Sequence, residues 1–123
     1  MASEGLHEAR DDLDAATIDR HRAFVSIQEE LEAADWYDQR VDATTDRDLA
    51  AILAHNRDEE KEHASMTLEW LRRRDPIFDR HLRTYLFTEE PITEEEAESG
   101  ASGPAVLVEG GSLGIGSLKA SAS

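Results

Sequence analysis

At 123 residues the chain is one domain at most, and its net charge of −15 argues against nucleic acid and anionic membrane as partners. It contains no cysteine, which rules out a disulfide framework and a thiolate metal site. No apolar run nears the ~20 residues that cross a bilayer, and the opening "MASEGLHEARDD" is too acidic for a signal peptide, so a cytoplasmic protein is expected.

The composition changes along the chain. Residues 1–87 hold 21 of the acids, 12 of the bases and every aromatic, whereas residues 88–123 hold seven acids, the lone Lys119 and six of the seven glycines. This shift predicts a helical domain over 1–91 followed by a flexible, disordered tail over 92–123.

From about His7 to Gln39 there is no Pro or Gly, and Leu13, Ala16, Ala23, Phe24, Ile27, Leu31 and Ala34 recur at helical spacing, which predicts a long first helix. "VDATTD" (41–46) is a turn rich in capping residues, with Thr45 or Asp46 placed to cap a second helix. That helix carries Leu49, Ile52, Leu53, Met66, Trp70 and Leu71 on one stripe, ends on the basic run Arg72–Arg74 and stops at Asp75-Pro76. Pro76 opens a short third helix, "PIFDRHLRTYLF", and beyond Thr88 only "EEPITEEEAE" has the composition for a turn or two more.

Two helices of roughly 30 residues span ~45 Å each, and a lone antiparallel pair leaves much of both apolar stripes in water. The expected fold is therefore all-α: an antiparallel two-helix hairpin plus a short C-terminal helix, pairing with a second copy into a four-helix bundle.

Helix phase sorts the acids. With His63 at zero and about 100° per residue, the apolar stripe of the second helix is centred near about +30°, and Glu60 falls inside it at about +60°. Glu59 is marginal at about −40°, and Glu62 points away at about −100°. On the first helix Glu30 borders the apolar face, while Glu29, Glu32 and Trp36 form a separate outward line. Two acids and a histidine thus approach one interior with no Lys or Arg on the same stripes, and inward carboxylates need a pair, a proton or a metal. A Glu-x-x-His spacing recurs by chance in charged helices, so it is the shared phase with Glu30 that points to a cation. Carboxylate and imidazole without sulfur suit iron or manganese, and zinc less specifically. Tyr37 and Trp36 by themselves read as packing residues, and His7, His21, His55 and His81 as surface or capping groups.

Ferritin-like di-iron bundles place a Glu on each of two helices and a Glu-x-x-His on each of the other two, and this chain carries one of each. With "EELEAADWYDQRVDA", "ILAHNRDEEKEHASMTLEWLRR" and the ending "GSLGIGSLK", the sequence closely resembles the encapsulated ferritins, the iron-oxidising cargo of encapsulin nanocompartments. The resemblance covers about residues 17–91 and the tail. It implies a half-ferritin protomer and a di-iron ferroxidase centre of Glu30, Glu60 and His63 from both subunits, with Tyr37 beside it. It further implies an outer metal-attraction site of Glu29, Glu32 and Trp36, and an annular assembly of dimers, a decamer built as a pentamer of dimers. Calcium or zinc would substitute for iron at the centre.

Leu113, Ile115 and Leu118, set among Gly and Ser in residues 112–119, read by composition as linker. Similarity to encapsulin-targeting sequences implies a docking peptide for the encapsulin shell protein and a place inside the nanocompartment. The alternatives to a ferroxidase are a metal-binding protein without turnover and a structural cargo or adaptor protein.

Overall fold

The computed structural model describes residues 5–95, which are all-α. A single 3-10 turn, Arg10–Asp12, precedes three helices: α1 (Ala15–Ala43), α2 (Arg47–Arg74) and α3 (Pro76–Tyr85). The chain divides after Pro76 into two units. No helix among the described residues is long and apolar enough to cross a membrane.

Capping decides where α1 starts. Asp14 is extended (φ −86°, ψ 169°), and its Oδ1 accepts a hydrogen bond from the Thr17 N–H at 3.0 Å. The helix therefore begins at Ala15, eight residues later than the expected start near His7. A capping side chain satisfies an orphan donor that a longer helix would have consumed internally. The end of α1 is also later than expected: it runs through Val41 to Ala43, and only Thr44–Asp46 make the turn. In that turn the Thr44 hydroxyl accepts from the Asp46 N–H (3.1 Å), and Asp46 Oδ1 accepts from the Leu49 N–H (3.0 Å), which caps α2. So short a connection makes α1 and α2 antiparallel neighbours. The basic end of α2 is internally braced: Arg72 and Arg73 hydrogen-bond the Glu69 carboxylate and hold its pKa down to about 2.

Among the described residues the buried apolar side chains are Ile18, Ala23 and Val25 on α1 and Ala64 and Leu71 on α2, of which Leu71 is fully enclosed. All five lie in the half of the hairpin away from the Thr44–Asp46 turn. At the turn end, Arg57 reaches across from α2 and donates from Nη1 to Asp38 of α1 at 3.0 Å, while its Nε donates to Asp58. Of the two expected stripes only Ala23 and Leu71 are buried. Phe24 (45% exposed), Leu31 (56%), Leu49 (44%), Ile52 (59%) and Met66 (60%) stand open. A two-helix pair can cover only the edge of each stripe that faces the other helix, so the rest is left as an uncovered apolar face.

In the second unit α3 ends at Tyr85, two residues before the expected limit, and Phe87 takes a left-handed conformation (φ 61°) that turns the chain out of the helix. Residues 92–95 make one helical turn on the Pro91 carbonyl. Most of the tail, including the segment 112–119 expected to be a docking peptide, lies outside the described residues.

Candidate metal centre

The site is built from the middle of both long helices. Glu60 and His63 lie one turn apart on α2, with His63 Nδ1 3.6 Å from Glu60 Oε1. The Glu60 side chain is 25% exposed and that of His63 43%, so both border the interior. Across the hairpin, Glu30 of α1 is half-buried, and its Oε1 is shut from solvent with no hydrogen-bond partner. The Glu30 carboxyl is pushed above its ordinary value of 4.5, chiefly by burial. The His63 imidazole opposes that shift, and the Glu60 and Glu29 carboxylates add to it. Glu30, Glu60 and His63 therefore lie within one another's electrostatic reach.

A buried carboxylate oxygen without a donor, facing other carboxylates, fits a bound cation. Of the cationic side chains on this part of α2, Arg57 is committed to Asp38 and Asp58, and Lys61 is exposed with its Nζ 3.8 Å from Asp58. Within one chain, among the described residues, no three His, Asp or Glu side chains close around a common point as a metal set. Glu30, Glu60 and His63 thus form an open array whose remaining donors would have to come from elsewhere.

Tyr37 is half-buried two turns along α1 from Glu30, and the Arg40 guanidinium lies 5.4 Å above its ring. Glu29 and Glu32 are exposed, and Trp36 is 49% exposed, in a line separate from Phe24 and Leu31. Two features escaped the phase argument. Glu59, marginal by phase, stands 3.8 Å from His63 Nε2 and 3.7 Å from His55 Nε2, so His55 does belong to a constellation. The i, i+4 spacing of His55, Glu59 and His63 carried that signal. His21, read as a surface or capping group, is instead half-buried, with its Nε2 shut from solvent and without a partner.

Removing the charge on Glu30 separates stability from binding. A raised carboxyl pKa means that the folded state holds its proton more tightly than the unfolded chain. Stability is therefore lost as pH rises from about 4.5 through the raised value, and is level above it. Glu30→Gln lacks that loss, so without metal the variant is expected to be more stable than the parent at pH 7 and equal to it at pH 4. Added metal should raise the melting temperature of the parent and leave the variant unmoved. Thermal melts in chelator and in metal check both, and a variant less stable than the parent at pH 7 in chelator would contradict the account.

An acidic helical hairpin with a carboxylate–histidine array at mid-length is a ferritin-like construction, and comparison with known proteins narrows it. Residues 5–89 match the EncFtn-like family, and the chain belongs to that family. It is 61% identical to the encapsulated ferritin-like protein of Rhodospirillum rubrum, over 99% of this chain and 93% of the relative. It is 33% identical to the encapsulin nanocompartment cargo protein EncC of Myxococcus xanthus, over 77% of this chain and 80% of that one. Among solved structures, protein ne0167 of Nitrosomonas europaea matches with a TM-score of 0.70 and 60% identity, covering 72% of this chain and 97% of its own.

Proposed function

We propose that the protein is a ferroxidase that oxidises Fe(II) with dioxygen at a site shared by two copies of the chain, and delivers Fe(III) for mineral storage inside an encapsulin nanocompartment. The observation that carries this reading is the Glu30 oxygen, buried without a donor in the field of Glu60 and His63. A divalent cation is what such an oxygen lacks.

In this reading Fe(II) is the substrate. Glu30, Glu60 and His63 hold it as oxygen and imidazole donors, and the carboxylates favour the product because they bind Fe(III) more strongly than Fe(II). The exposed line of Glu29, Glu32 and Trp36 draws cations toward the protein, and the net charge of −15 strengthens that attraction at a distance. A second copy completes the set. It supplies another Glu30, Glu60 and His63, and its apolar face covers Phe24, Leu31, Ile52 and Met66. Pairs of chains then assemble into an annular decamer. The names of the Rhodospirillum and Myxococcus relatives support encapsulation, with residues 112–119 as the segment that docks on the shell.

Anaerobic Fe(II) titration followed by native mass measurement tests the shared site. About two Fe(II) per dimer are expected, bound only by species containing an even number of chains. Iron bound tightly by the single chain would overturn the shared centre. Tight iron binding by dimers that consume no oxygen when air is admitted would leave a binding protein without turnover.

A further inference from the structure

Met66 is 60% exposed on α2, three residues beyond His63. Residues at that spacing on a helix are neighbours, with Cβ atoms about 5–6 Å apart, so the thioether sits one turn from the histidine. In the single chain it shares with Ile52 the open apolar face that the second copy covers in the proposed dimer, so the sulfur lies at the interface beside the shared centre. The chain has no cysteine and only one other methionine, Met1, so Met66 is the only sulfur among the described residues. Leucine would pack on such a face equally well. What methionine adds is a soft sulfur that gives up two electrons to a peroxide.

We propose that Met66 is an oxidation site that captures hydrogen peroxide released at the Glu30, Glu60 and His63 centre. The inference rests on the ferroxidase reading: two Fe(II) each give one electron to dioxygen, which takes up two protons and departs as hydrogen peroxide. A sulfur lone pair of Met66 then attacks one peroxide oxygen. The O–O bond breaks as the S–O bond forms, and the proton on the transferred oxygen passes to the departing hydroxide, which leaves as water. Sulfur loses two electrons and peroxide gains two. The product is methionine sulfoxide. The groups spared are His63, one turn before Met66, and Trp70, one turn after it.

The test uses the full-length protein, given Fe(II) in air while Fe(II) loss is followed, then digested with trypsin. Cleavage after Lys61 and Arg72 releases residues 62–72, which carry His63, Met66 and Trp70 together, whereas Met1 leaves on residues 1–10. The expected result is a mass gain of one oxygen located on Met66, about tenfold more than on Met1. In Met66→Leu iron should be oxidised at the parent rate, with several-fold more peroxide reaching solution and oxidation moving to Trp70 or His63. Iron oxidised normally with Met66 unmodified, or with Met1 and Met66 modified equally, overturns the inference and leaves the ferroxidase standing. Iron lost no faster than in buffer overturns the ferroxidase and removes the peroxide source with it.

Discussion

Alanine at Glu60 or at His63 is expected to slow aerobic Fe(II) oxidation by about a hundredfold or more, which corresponds to about 2.7 kcal/mol of transition-state stabilisation. The two side chains lie 3.6 Å apart on one turn of α2 and act electrostatically on Glu30, so losing either removes a donor from each half of the proposed two-fold site. Alanine is the best helix former, and neither residue belongs to the buried apolar set, so both variants should keep the helical content of the parent. Glu62→Ala is the matched control, since it removes one negative charge from the same helix at an exposed position and should oxidise iron at the parent rate. If Glu60→Ala and His63→Ala both oxidise iron as fast as the parent, above the buffer background, the assignment of the centre is wrong.

Deletion of residues 112–123 is expected to abolish capture by the encapsulin shell while leaving oxidation in solution unchanged. The deleted stretch carries Leu113, Ile115 and Leu118 as its apolar anchors and a single charge, Lys119. It contributes none of the proposed iron ligands Glu30, Glu60 and His63. Short apolar peptides of this kind gain affinity from many copies presented by one assembly, so removal acts on every anchor point at once. Co-expression with the shell protein and purification of the compartment gives the readout. Undiminished co-purification of the shortened chain would remove the docking role from this segment.

The helix termini were legible where one residue had one job. Asp75-Pro76 ends α2, as its chemistry dictates, whereas at the other end Thr45 and Asp46 were both candidates and Asp46 is the cap. The start of α1 was not legible, because Asp11, Asp12 and Asp14 are all plausible caps, and only the geometry of Asp14 with Thr17 selects one of them. Phase arithmetic separated Glu60 and His63 from Glu62, and the exposures of these three side chains follow the same order of facing. It put Glu59 at the margin, as its 45% exposed side chain shows, but could not give its partners His55 and His63, because contacts along one helix come from i, i+4 spacing and not from the angle to the apolar stripe. Periodicity showed that each helix has an apolar stripe, yet could not say which edge of it the hairpin would use. That choice depends on helix crossing, which left Phe24, Leu31 and Ile52 open.

Crowding of the buried apolar side chains of the described residues into 18–25 and 64–71 leaves the two halves of the hairpin unequal in resistance to opening. The half near Thr44–Asp46 rests on its helical hydrogen bonds and the strut from Arg57 to Asp38, so its amides should exchange with solvent sooner than those at the other end. Glu30, Glu60 and His63 stand where the firm half meets the yielding one. An ion held there would clasp the part of the hairpin that otherwise breathes, and the rate of amide exchange between residues 30 and 60 would become a gauge of iron occupancy that needs no oxygen.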